Sequence, residues 1–321
     1  MKSVVAPMPA NARRAVRAML VLLCATGLLV TITGQALAKK PAGKKPTATT
    51  KSKITPTTPI TQGSTYLALG DSVTFGFQES TVVPTPNYPD AASLIGYPEM
   101  LGSELHLNVV NAACPGETSS SLIDATAQSN GCENAPGGGP AYRTLYPLHV
   151  KYSGSQLAFA VSYLKEHQNV RLVSLMIGAN DVFLCQETTA DHCTSLSEQA
   201  ALIATIEKNV HSILSAIRTQ AHYNGQLAIV NYYSIDSANA TDNSASQVLD
   251  AAIDGTARPF HVEIADGYGE FATASVHSGG NTCTAGLLTQ LVNASTPCGV
   301  HPSYAGQALL AQAVEKAIRL G

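Results

Sequence analysis

Short apolar runs alternate with helical patterns from residue 64 onward. Thr65-Tyr66-Leu67-Ala68-Leu69 is a nearly continuous apolar run of strand length, which predicts a buried first strand. Leu107 to Val110, Leu172 to Ile177 and Leu227 to Val230 predict three more strands, and His261 to Ile264 a weaker fifth. Between them the pattern predicts helices near 97–107, 155–167, 195–220 and 246–257. The longest has the clearest start, because Ser195-Leu196-Ser197-Glu198 forms a capping box. Ile203, Ile206, Val210, Ile213, Leu214 and Ile217 then recur at helical spacing and mark a core face. A last helix is expected after His301-Pro302, with Ser303 as its N-cap and Leu310, Val314 and Ile318 on one apolar face. Residues 134–155, with Gly137-Gly138-Gly139, are expected to form a long mobile connection at a pocket rim. Strands alternating with helices indicate an α/β fold.

The first 63 residues break this pattern. Arg13, Arg14 and Arg17 precede an apolar run from Ala18 to Ile32, which ends in Ala36-Leu37-Ala38 before Lys39 and Lys40. A basic region, an apolar region and a small-residue exit make residues 1–38 a secretory signal peptide. The competing reading is an uncleaved anchor, since Ala18 to Ala38 is long enough to cross a bilayer. Cys24 follows Val21-Leu22-Leu23, which offers no small residue for lipoprotein processing. Residues 39–63 are rich in Lys, Pro and Thr and read as a disordered linker, leaving 64–321 as the folded domain. The linker's six lysines suit either an anionic cell envelope or a simple solvated tether.

The chain of 321 residues is 45% hydrophobic and 13% charged, enough for a full single-domain core. Its net charge of −3 conceals an asymmetry. Of the 19 Lys and Arg residues, four lie in residues 1–38 and six in the linker, which leaves nine against all 22 Asp and Glu, a formal charge of −13 on the folded part. Nucleic-acid binding needs a basic footprint, so that class is set aside. Six cysteines remain after cleavage, an even number in an exported chain, and short intervals favour the pairs Cys114–Cys132, Cys185–Cys193 and Cys283–Cys298. A structural zinc site is the rival, but no C-x-x-C spacing occurs.

Gly70-Asp71-Ser72 follows the first predicted strand directly. In an open parallel sheet ligands bind beyond the carboxyl ends of strands, so Ser72 sits where a nucleophile would be presented. Taken alone the tripeptide is an ordinary turn sequence. Three further segments follow in order: Cys114-Pro115-Gly116-Glu117-Thr118 after the second strand, Gly178-Ala179-Asn180-Asp181 after the third, and His301-Pro302 near the C-terminus. With these four blocks the sequence, from about 65 to 318, resembles the SGNH (GDSL-type) hydrolase family. That resemblance implies a three-layer α/β/α sandwich of flavodoxin-like type, with a parallel sheet of about five strands. It implies a serine esterase or lipase with Ser72 as nucleophile and His301 as general base. The backbone N–H groups of Ser72 and Gly116 and the side-chain amide of Asn180 would form the oxyanion hole. Asp71 and Asp181 are expected to hydrogen-bond loop backbone. A small-molecule ester or lipid is the implied substrate, with no metal, no cofactor and a monomeric, exported protein.

One position departs from the family pattern. The aspartate that usually stands three residues before the histidine is replaced by Cys298. The resemblance then implies the branch of secreted, disulfide-stapled esterases that work with a Ser–His dyad, in which the Cys298 backbone carbonyl orients the imidazole. Distant Asp266 is the alternative orienting group. No G-x-S-x-G elbow and no H-E-x-x-H occurs. Gly267 to Ala272 matches G-x-G-x-x-A, but in a poorly helical stretch too near the C-terminus for a dinucleotide domain. His106, His149 and His277 have no motif around them and read as surface or satisfied core positions. An O-acetylesterase of polysaccharide or cell wall is the enzymatic alternative, and a non-catalytic surface-binding domain is the alternative outside catalysis.

Overall fold

The computed structural model describes residues 58–321; the expected signal peptide and the linker up to residue 57 lie outside the described residues. In chain order the elements are β1 (Thr65–Gly70), α1 (Ser72–Phe75), α2 (Tyr97–Glu104), β2 (Asn108–Asn111), α3 (Ser119–Ile123), α4 (Tyr142–Leu145) and α5 (Gln156–Glu166). There follow β3 (Val170–Met176), α6 (Ala179–Thr188), α7 (Leu196–Ser215), β4 (Gln226–Val230), α8 (Ala240–Ala257), β5 (Glu263–Ala265) and α9 (Gly267–Ser275). A hairpin of β6 (Leu288–Gln290) and β7 (Cys298–Pro302) precedes α10 (Tyr304–Ala317).

The five strands pair in parallel in the order β2-β1-β3-β4-β5. Leu67 lies opposite Val110 on one side and Val173 on the other. β1 and β4 are apolar almost throughout, without alternation, because helices cover both faces of the sheet. α2, α9 and α10 pack together on one face, and α3, α5, α7 and α8 lie on the other. This is the three-layer sandwich that the resemblance implied. The strand order reverses at β1, so the crevice beyond β1 and β3 is where ligands bind in such sheets.

Each expected strand is present within a few residues, and Ser195 caps the long helix by accepting from the Glu198 N–H. The reciprocal half of the expected capping box is replaced, since the Ser195 N–H donates to Asp191 Oδ2 at 2.9 Å rather than to Glu198. The three expected disulfides are formed. Other details differ. Ile60, placed in the linker by composition, is buried, and its backbone exchanges hydrogen bonds with Arg319 and Gly321 beside the C-terminus. The fold therefore begins before residue 64. The stretch from Gly267 is helical after all, because Asp266 caps α9 by accepting from the Gly269 N–H at 2.7 Å. The glycine-containing connection 134–155 carries α4, whose Tyr142 packs edge-on to Phe75 at 5.3 Å. His301 lies within β7 rather than on a free loop.

Candidate active site

The Gly70-Asp71-Ser72 block is built as a strand-to-helix turn. β1 ends at Gly70, and Asp71 caps the single turn of α1 by accepting from the Val73 N–H at 2.9 Å. Ser72 is the first residue of that turn, with its backbone N–H at a helix N-terminus. The turn is held from behind by Gln307 of α10, which accepts from the Tyr97 N–H at 2.8 Å and donates to the Val73 carbonyl at 3.0 Å. Asp71 is buried, and its other carboxylate oxygen accepts the Tyr232 hydroxyl. Burial pushes the Asp71 carboxyl up to about 6 against the opposing hydrogen bonds from Tyr232 and Val73.

His301 Nε2 lies 2.9 Å from Ser72 Oγ. Its Nδ1 lies 2.9 Å from Oε1 of Glu79, seven residues beyond Ser72. This corrects the expectation that the Cys298 carbonyl orients the ring. That carbonyl instead accepts the Thr296 hydroxyl at 3.1 Å. Asp266, the other alternative, is occupied as the cap of α9. Glu79 reaches His301 across 222 residues of sequence, and Gly299 makes its approach possible, since a Cβ there would sit 1.8 Å from Glu79 Oε1. The same oxygen accepts the Val300 N–H at 2.9 Å and the His301 N–H at 3.3 Å, while Oε2 accepts the Thr289 hydroxyl. Tyr233 fixes the neighbouring backbone by donating to the Val300 carbonyl at 2.6 Å.

Burial opposes a charge on Glu79, but the His301 charge and the hydrogen bonds from His301 and Thr289 outweigh it and hold the carboxyl down to about 2. A carboxyl lowered in the folded state stabilises the fold above its ordinary value of 4.5 and loses that contribution as pH falls through about 2. Chemical denaturation of the wild type and Glu79→Gln should therefore differ by at most about 3 kcal/mol at pH 6 and converge toward pH 2. A gap that stays constant across this range would show that the carboxylate charge does not stabilise the fold.

Gly116 has φ +84°, in the left-handed region, and a Cβ there would lie 2.5 Å from the Asn130 carbonyl oxygen. Its own carbonyl accepts the Asn130 N–H at 2.7 Å. The Asn130 side chain donates to Asn180 Oδ1 at 3.1 Å, which leaves Nδ2 as the donor end of the Asn180 amide. Asn130 thus ties together two of the residues expected in the oxyanion hole. The Cys114–Cys132 disulfide closes the loop that holds it. Asn180 stands in the first turn of α6, directly beyond β3. Next to it Asp181 accepts from the Ser119 N–H at 2.8 Å and the Ser119 hydroxyl at 2.6 Å. Burial raises Asp181 to about 6, with those hydrogen bonds opposing. Asp71 and Asp181 each accept a backbone N–H, as expected, but from the first turns of α1 and α3 rather than from loops, and each also accepts a hydroxyl.

Phe77 meets the His301 ring edge-on at 5.0 Å and stacks on Tyr88 at 5.4 Å, with Tyr142 and Tyr146 behind them. An aromatic wall therefore flanks His301. His149, read as a satisfied position, contacts the Phe75 carbonyl through Nε2 at 3.0 Å. Cys114, Glu117 and Cys132 are the metal-compatible group found among the described residues, but both cysteines are in their disulfide.

The GDSL-like lipase/acylhydrolase family model matches residues 68–309. No curated protein sequence matches the chain significantly. Among solved structures, a phospholipase A1 from Streptomyces albidoflavus is similar at 16% identity and TM-score 0.50, covering 79% of this chain and 99% of that one. An acetylxylan esterase from Geobacillus stearothermophilus is similar at 18% identity and TM-score 0.48, covering 81% of this chain and 96% of that one.

Proposed function

The chain belongs to the GDSL-like lipase/acylhydrolase family and is an ester hydrolase, and from that premise we propose that Ser72, His301 and Glu79 form its catalytic triad. The observation that carries this reading is the continuous pair of 2.9 Å contacts, Ser72 to His301 and His301 to Glu79. Ser72 Oγ attacks the ester carbonyl carbon while His301 Nε2 takes its proton. The carbonyl oxygen becomes an oxyanion beside the backbone N–H groups of Ser72 and Gly116 and the Asn180 amide. Collapse of this intermediate breaks the bond to the alkoxy oxygen, which leaves as the alcohol with the proton from Nε2. Water then attacks the acyl-enzyme, giving its proton to His301, and Ser72 Oγ departs and recovers that proton as the carboxylic acid is released. Glu79 stays ionised throughout, holding the proton on Nδ1 and balancing the imidazolium.

The aromatic wall around Phe77 supports esters with an apolar portion next to the base. Hydrolysis of p-nitrophenyl esters from acetyl upward tests this: rising kcat/KM with chain length is expected, and a steep preference for acetyl would favour an O-acetylesterase. The proposed location is outside the cytoplasm. It rests on three disulfides and on the pattern of residues 1–38. Among the described residues no helix is long and apolar enough to cross a membrane.

Asn180→Ala should lower kcat by about 10²–10³-fold with little change in KM, as for a donor used mainly in the transition state. Steady-state kinetics check this, and a change confined to KM would make Asn180 a substrate-binding residue instead.

A further inference from the structure

Gln156 is the first residue of α5, placed there by the Ser155 cap, and it is fully buried. Its side chain hydrogen-bonds Gly70 and Glu117 rather than Ser72, His301 or Glu79. Oε1 accepts the Gly70 N–H at 2.6 Å, and Nε2 donates to the Gly70 carbonyl at 3.0 Å. The same Nε2 donates to Glu117 Oε2 at 3.0 Å. Gly70 stands two residues before Ser72, and Glu117 directly follows Gly116. One amide therefore grips both segments that carry the backbone donors of the oxyanion hole. A second link runs parallel to it, from the Cys114 N–H to the Gly70 carbonyl at 3.2 Å.

We propose that Gln156 is a positioning residue that, through Gly70 and Glu117, sets the separation between the Ser72 and Gly116 N–H groups. This rests on the triad and oxyanion roles given above. Glu117 is a suitable anchor because it is itself buried and immobilised, its Oε1 accepting the Ser121 hydroxyl. Burial and the neighbouring Glu133 carboxylate push its carboxyl well above the usual range, with Ser121, Gln156 and Arg143 opposing. Arg143 binds Glu133 at 2.8 Å and also donates to the Gly154 and Tyr152 carbonyls, two and four residues ahead of Gln156.

The geometry separates positioning from bulk stability. Two backbone donors help the transition state only if both meet the oxyanion, and displacement by about 1 Å from a remote change can cost about 10²-fold. The ground-state carbonyl gains much less from them, so the loss should fall on kcat rather than KM.

The test compares wild type with Gln156→Leu and with the isosteric Gln156→Glu, each normalised to active sites by fluorophosphonate titration. Both variants should lose about 10–100-fold in kcat per titrated site, with KM within about threefold. Affinity for an alkyl boronic acid, which forms a tetrahedral adduct on the serine, should fall by the same factor as kcat/KM. For Gln156→Glu the deficit relative to wild type should shrink as pH falls, because the introduced carboxyl regains a donor when protonated. Normal kcat and normal boronate affinity per titrated site would overturn the inference, even if thermal stability had dropped. A wild type that hydrolyses no ester would overturn the functional reading itself, which is a separable result.

Discussion

Ser72→Ala is expected to abolish ester hydrolysis while leaving the fold intact, a loss of about 10⁶-fold in kcat if the reaction passes through this hydroxyl. Ser72 is only partly buried, and its hydroxyl makes the contact to His301 Nε2 that the mutation removes. The packing that shapes the turn survives, since Asp71 still caps α1 and Gln307 still holds Val73. Circular dichroism and the urea midpoint should match the wild type, with p-nitrophenyl butyrate turnover at background. Retained turnover above about 1% of wild type would remove Ser72 as the nucleophile. The expected residual activity, far below that level, comes from the oxyanion donors and binding alone.

Glu79→Gln is expected to lower kcat by up to about 10⁴-fold, the cost of making the third triad member neutral. The amide preserves the size of the side chain and can still accept from the Val300 and His301 N–H groups. What it loses is the negative charge beside Nδ1 and the certainty that Nδ1 carries the proton. When the amide nitrogen faces the ring, Nε2 becomes the protonated nitrogen and cannot act as base. Asp266→Asn should remain within a few-fold of wild type, because Asp266 caps α9 and makes no contact with His301. Parallel kinetics of the two variants discriminate cleanly: equal, mild effects would return His301 to a dyad, and a selective collapse in Asp266→Asn would move the acid there.

The parts of this site that the sequence revealed are those that follow strand ends. Ser72, Gly116 and Asn180 each follow a strand that its apolar run predicts, so a strand pattern and a short block suffice to find them. Glu79 carried no such mark. Its partner is 222 residues away, and the position three before the histidine, where the family pattern places an acid, holds a cysteine joined to Cys283. Asn130 and Gln156 were equally silent, because each acts through hydrogen bonds to backbone or amide groups that leave no periodic trace. The helix α6 was missed for a related reason: buried Asn180, Asp181 and Gln186 occupy its inner face and blur the apolar stripe. Ile60 escaped because an isolated apolar residue in a Thr- and Pro-rich stretch reads as linker until its strand-like bridge to Leu320 is seen. Local pattern carried the scaffold, and long-range polar contacts completed the site.

The most direct measurement is peptide mapping of the adduct formed when the purified protein meets a fluorophosphonate probe. A single modification on Ser72 is predicted, absent in Ser72→Ala, markedly slowed in Glu79→Gln and within a few-fold of the wild-type rate in Asp266→Asn. An adduct on another residue, or brisk ester turnover with no labelling of Ser72, would contradict the triad.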